Sequence, residues 1–75
     1  MKIEILGTGC AKCATMTENA KKAVATKGIF AQVEKVEDIV AIMGYGVMNT
    51  PALVVDGEVK STGKLLSPEE IQAFL

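Results

Sequence analysis

The chain has no histidine, no tryptophan and no arginine, so lysine alone supplies its eight basic side chains. Without arginine there is no planar fork to grip phosphates or guanine edges in bidentate fashion, which argues against nucleic acid as a partner. Without histidine, and with only two cysteines, a closed tetrahedral zinc site would need a second chain or outside ligands. Only three aromatic residues are present, Phe30, Tyr45 and Phe74, so the core has to be aliphatic. The start of the chain carries Lys2 and then Glu4 inside its apolar stretch, which is no signal-peptide core, and a cytoplasmic protein with no membrane association is expected. Repeats, linkers and low-complexity segments are lacking too. Seventy-five residues with a net charge of −1 and about half of them apolar read as one folded domain spanning 1–75. A domain of this size draws only about 3 to 5 kcal/mol from its core.

What is present is concentrated in one segment. Cys10-Ala11-Lys12-Cys13 holds both cysteines, directly after a strand-like run and at the start of a helix-like one. Residues three apart on a helix lie on one face about a turn apart, so the two sulfurs can bond or share a metal. Cys10 would sit at the helix N-terminus, where unpaired N–H groups and the positive end of the macrodipole favour a thiolate. Lys12 adds positive charge nearby. In a reducing compartment a close cysteine pair is more often catalytic or metal-binding than structural, and closing so short a loop stabilises little. The bland alternative is a pair of small buried hydrophobes.

Lys2 to Leu6 alternates polar and apolar, with Ile3 and Ile5 on one face, and reads as a strand; Gly7-Thr8-Gly9 then supplies the turn. From Ala11 to Lys27, Cys13, Met16, Ala20 and Val24 keep helical spacing, Glu18 can pair with Lys22, and Gly28 is the stop. Ile29, Ala31 and Val33 alternate with Phe30, Gln32 and Glu34 as a second strand, parallel to the first because a helix joins them. Asp38 caps a short helix with Ile39, Ile42 and Met43 inward, ended by Gly44 and Gly46. Ala52-Leu53-Val54-Val55, Asp56-Gly57 and Glu58-Val59-Lys60-Ser61 form an antiparallel hairpin. Ser67, Pro68 and Glu70 announce a last helix through a capping box, with Leu66 and Ile71 as a hydrophobic staple and Ile71, Phe74 and Leu75 on its buried face. Met48 is read as gap-filling core, the alternative being a soft contact for a partner, and Tyr45 as a partly exposed lid on the core edge. The Gly7-Thr8-Gly9 run does not continue as a phosphate-binding loop, since Lys12 stands where a third glycine is needed.

The element order βαβαββα, Cys-x-x-Cys at the first strand-to-helix junction, and Thr50-Pro51 opening the third strand resemble the thioredoxin-like fold over the full length. More narrowly, Gly7-Thr8-Gly9-Cys10-Ala11-Lys12-Cys13 with Asn49-Thr50-Pro51-Ala52-Leu53-Val54-Val55-Asp56-Gly57 is similar to the small glutaredoxin-sized redox-active disulfide proteins of archaea and bacteria. The resemblance implies a four-stranded mixed sheet with three helices and a protein-disulfide oxidoreductase, with Cys10 as nucleophile and Cys13 as resolving thiol. It further implies a cis bond before Pro51 and a substrate contact formed by Thr50, Pro51, Gly9 and Lys12. No cofactor or metal beyond the Cys10–Cys13 couple is implied. The partners would be protein disulfides and a thioredoxin-reductase-like electron donor, acting on a monomer. The double-glycine-acid segment with which glutaredoxins hold glutathione is not matched, because Gly63 stands alone in Ser61-Thr62-Gly63-Lys64.

A second class competes. Cys-x-x-Cys at a loop-to-helix junction also resembles heavy-metal-associated domains, which hold Cu(I) or a similar soft ion between two thiolates in a βαββαβ fold. Those domains usually carry methionine two residues before the first cysteine, where this chain has Thr8, and they lack a Thr-Pro strand start.

Overall fold

A computed structural model describes residues 1–8 and 11–75. Among them run β1 (Lys2–Leu6), α1 (Ala11–Lys27), β2 (Gln32–Val36), α2 (Ile39–Gly44), β3 (Ala52–Val55), β4 (Glu58–Thr62) and α3 (Pro68–Gln72). The four strands make one mixed sheet in the order β2-β1-β3-β4. β1 pairs parallel with β2, Lys2 opposite Gln32, and antiparallel with β3, Ile5 opposite Leu53.

Strand alternation divides the interior in two. Ile3 and Ile5 of β1 and Leu53 and Val55 of β3 share the face covered by Met16, Ala20 and Ala23 of α1 and Ile71 of α3. Leu6, Ala52 and Val54 share the opposite face with Ile42 of α2 and Val47. The sheet is therefore covered on both sides. Side-chain bonds tie α1 to α3 and to the segment before it. Asn19 Nδ2 donates to the Leu66 carbonyl at 2.9 Å, fixing the approach to α3, and Lys27 Nζ reaches the Gln72 carbonyl at 3.4 Å.

The hairpin is closed by Asp56 and Gly57 with φ of 50° and 81°, the two positive values of a type I′ turn. Asp56 also ties the turn to β1: its Oδ1 accepts from Lys2 N and its own N–H donates to the Lys2 carbonyl, both at 2.8 Å. The register moves from Leu53–Ser61 to Val54–Val59, leaving Lys60 as the extra residue of a bulge in β4.

Several expectations are corrected. β2 starts at Gln32, not Ile29, because α1 ends with Gly28 at φ 69° and the Ile29 N–H still bonding Val24 O at 3.4 Å, so the next residues are spent in leaving the helix. Phe30 is consequently fully exposed. On α1 the fourth buried position is Ala23, with Val24 only partly buried, and Glu18 pairs with Lys21 at 3.6 Å rather than with Lys22. In α2 only Ile42 is buried; Ile39, Val40 and Met43 face outward, because a helix of six residues offers one side chain to the sheet before its stripe turns away. Met48 is 95% exposed and is not core; Val47 takes that place. Phe74 is exposed as well, whereas Leu75 packs against the core beside Ile71.

The last helix starts as its sequence dictates. The Glu70 N–H donates to Ser67 Oγ at 3.2 Å, the Ser67 N–H donates to Glu70 Oε1 at 3.0 Å, and Lys64 Nζ sits 3.2 Å from Glu70 Oε2. The Ser67 backbone bond, with Lys64 beside it, holds the Glu70 carboxyl below its ordinary value of 4.5. A depressed folded-state pKa gives stability that is present above the unfolded value and lost as pH falls through the folded one. Thermal unfolding followed by circular dichroism should therefore lose stability on acidification from 4.5 downward. In Glu70→Gln that acid limb should be shallower, with a modest loss at neutral pH.

Candidate functional site

The junction between β1 and α1 is built around Cys13. Cys10 and Gly9, two of the residues singled out in the sequence, lie outside the described residues, as does the assignment of Cys10 to the helix N-terminus. α1 is described from Ala11, and Cys13 sits in its first turn with no exposed surface. Lys12, beside it in the chain, is exposed. The backbone around Cys13 is held from within the helix: Thr17 Oγ1 donates to the Cys13 carbonyl at 2.9 Å and Thr15 Oγ1 to the Ala11 carbonyl at 3.1 Å.

The sulfur is packed against the end of β1. A Cβ built on Gly7 would overlap Cys13 Sγ and come within 3.0 Å of Cys13 Cβ and 3.9 Å of Thr50 Cβ. Gly7, Cys13 and Thr50 thus converge on one spot, although 37 residues separate the last two in sequence. The Gly7 N–H donates to the Val36 carbonyl at 2.9 Å, so the β1–β2 ladder continues to this point.

The opposing segment is equally defined. The Thr50–Pro51 peptide bond is cis, Thr50 is exposed and Pro51 is buried. The Pro51 carbonyl accepts from the Gly63 N–H at 2.9 Å, which anchors the start of β3 to the end of β4. Gly63 has φ 70°, and a Cβ there would come within 3.0 Å of Asn49 Cβ. Of the six site residues named from the sequence, then, Cys13 and Thr50 are brought together, Pro51 follows Thr50 directly, and Lys12 lies on the exposed side of α1. Among the described residues no group of three or more histidine, cysteine, aspartate or glutamate side chains is placed to hold a metal ion. No described helix is long and apolar enough to cross a membrane.

Two features of this region were not legible in the sequence. One is the part played by Gly7, which reads as a turn residue and is instead a contact surface for sulfur. The other is Glu4, which alternation places on the polar face of β1 and which is only 8% exposed. Tyr45 explains how the carboxylate is accommodated: its hydroxyl donates to Glu4 Oε1 at 2.8 Å, across the α2 side of the sheet. The tyrosine is the lid expected from its sequence context, with a polar partner beneath it. That hydrogen bond, helped by burial and by the charge on Glu4, raises the Tyr45 hydroxyl above its ordinary value of 10.0.

A sheet of this order, with a cysteine-bearing strand-to-helix junction facing a Thr-Pro strand start, defines the thioredoxin-like class of α/β protein. Residues 1–75 match the thioredoxin domain family, and the chain belongs to it. It is 45% identical over 75 residues to a thioredoxin of Methanothermobacter thermautotrophicus, covering 100% of this chain and 97% of that protein. It is also 44% identical over 73 residues to a thioredoxin of Methanocaldococcus jannaschii, covering 97% of this chain and 84% of the relative. The chain is a protein-disulfide oxidoreductase by class.

Tyr45 is the only tyrosine, so its titration can be followed without ambiguity by tyrosinate absorbance. The midpoint should lie above 10.0 in the native protein and fall back toward it in Glu4→Gln. A raised folded-state value means that the bond stabilises below the unfolded pKa and is lost as pH rises through the folded one. Alkaline unfolding should accordingly be less steep in Tyr45→Phe.

Proposed function

We propose that Cys10 and Cys13 are the dithiol/disulfide couple through which this chain reduces or exchanges protein disulfides. The observation that carries the reading is the convergence of Cys13 Sγ and Thr50 on Gly7, with Thr50 the exposed residue that precedes Pro51. Cys10, as thiolate, attacks a substrate disulfide; one substrate sulfur leaves as a thiol after taking a proton, and a mixed disulfide forms. Cys13, as thiolate, then attacks the Cys10 sulfur. The Cys10–Cys13 bond forms, the Cys10–substrate bond breaks, and the second substrate sulfur leaves as a thiol. The substrate has gained two electrons and two protons, and the couple has been oxidised by two electrons.

Burial suits Cys13 to the second step. A thiol shielded from solvent is reached slowly by outside disulfides, whereas an intramolecular attack gains from proximity. Thr50, Pro51, Gly9 and Lys12 contact the substrate chain. The pair needs no cofactor, since the sulfurs themselves carry the electrons, and a thioredoxin-reductase-like donor returns the couple to the dithiol. The chain works as a single-domain monomer in the cytoplasm.

The test uses insulin-disulfide reduction with dithiothreitol. Cys10→Ser should abolish turnover, and Cys13→Ser should accumulate a mixed disulfide with a thiol-reactive substrate, detectable by mass. Preferential labelling of Cys13 in the reduced protein at limiting alkylating reagent would reverse the two roles. Tight Cu(I) retention against a strong chelator, with no disulfide turnover, would replace this reading with a soft-metal carrier.

A further inference from the structure

Gly7 departs from the other described glycines in a way that points to its purpose. Gly28, Gly46, Gly57 and Gly63 all have positive φ, where an L side chain is strained, and Gly44, which does not, has nothing within 4 Å of an added Cβ. Gly7 does not lie in that region, and its N–H is spent on the β-ladder bond to Val36. The backbone at position 7 would accept alanine. The space would not: a methyl group there falls on Cys13 Sγ, while its contact with Thr50 Cβ, at 3.9 Å, is ordinary.

Neither element can retreat to make room. On one side Leu6 is fully buried and Gly7 is bonded to Val36; on the other, Met16 and Ala20 lock α1 onto the sheet with no exposed surface. In a close-packed interior such an overlap has to be taken up at the contact itself, and the atom it falls on is Cys13 Sγ. From this we infer that Gly7 is a positioning residue for the disulfide exchange: its missing side chain is the seat of the Cys13 sulfur, and it holds that sulfur in place for its proposed attack on the mixed disulfide. The inference rests on the Cys10–Cys13 couple proposed above.

Gly7→Ala tests it through readouts that a purely structural role would leave unchanged. With Cys13 displaced, resolution of a mixed disulfide between Cys10 and a substrate peptide should slow at least tenfold. The equilibrium constant for closing the intramolecular disulfide should fall about tenfold, which moves the potential by about 30 mV toward more oxidising values. Unchanged resolution rate and potential in a folded Gly7→Ala protein would overturn the inference.

A double-mutant cycle on stability keeps the question open to refutation if that variant folds poorly. Gly7→Ala should lower Tm by on the order of 10 °C in the native background. In a Cys13→Ala background, where the sulfur is gone, it should cost far less. Equal losses in both backgrounds, or failure of both to fold, would show that the glycine serves the backbone and not the sulfur. The cycle needs no activity, whereas absence of insulin reduction by the native protein would strike at the redox couple itself, so the two failures are told apart.

Discussion

Central placement of β1 is the constraint on which the rest of this small structure depends. It is hydrogen-bonded to β2 on one edge and to β3 on the other, and it is covered on both faces. A strand so enclosed has no freedom to shift register, because a slip of one residue would send Ile3 and Ile5 to the wrong side of the sheet. Asp56 pins its beginning by two bonds to Lys2, and the Gly7–Val36 bond pins its end. The first helix then grows from a fixed point, and the position of Cys13 follows from that.

The same enclosure accounts for the treatment of Glu4. A strand exposed on one face could carry a carboxylate in water at little cost, but α2 and Tyr45 close over this side of the sheet. Burying a charge without a partner is expensive, and the Tyr45 hydroxyl provides one. The salt bridges add little to this. Among the described residues all involve solvent-accessible side chains, such as Lys2–Glu34 at 3.4 Å, and pairs of that kind contribute about 0 to 1 kcal/mol each. Cohesion comes instead from aliphatic packing on the two faces and from a few long-range bonds, such as Asn19 to Leu66.

The proposed site lies at one end of this frame. The loop before β3 and the first turn of α1 are far apart in sequence, yet they meet beside Gly7. Gly63 links the start of β3 back to the end of β4, so the Thr50–Pro51 segment is held from behind while Thr50 faces out. Support on the inner side with an exposed outer residue suits the substrate contact proposed for this segment.

Local chemistry made much of this legible from the sequence. Asp56-Gly57 is a type I′ turn because few other dipeptides accept two positive φ angles, and Ser67-Pro68 with Glu70 starts a helix because those side chains satisfy its first N–H groups. The alternation of β1, the helical spacing of Cys13, Met16 and Ala20, and the element order are likewise properties of neighbouring residues. What escaped was whatever depends on distant ones. Six residues of α2 show an apolar pattern, but only the sheet decides that Ile42 is buried while Ile39 and Met43 are not. Methionine in a loop carries no mark of whether anything lies above it, and Met48 turned out to be solvent-exposed. Glycine after a strand reads as a turn by composition alone. That Gly7 instead leaves room for a sulfur is decided only when α1 folds back across the end of β1, because a steric exclusion belongs to the two surfaces that meet and to neither segment by itself.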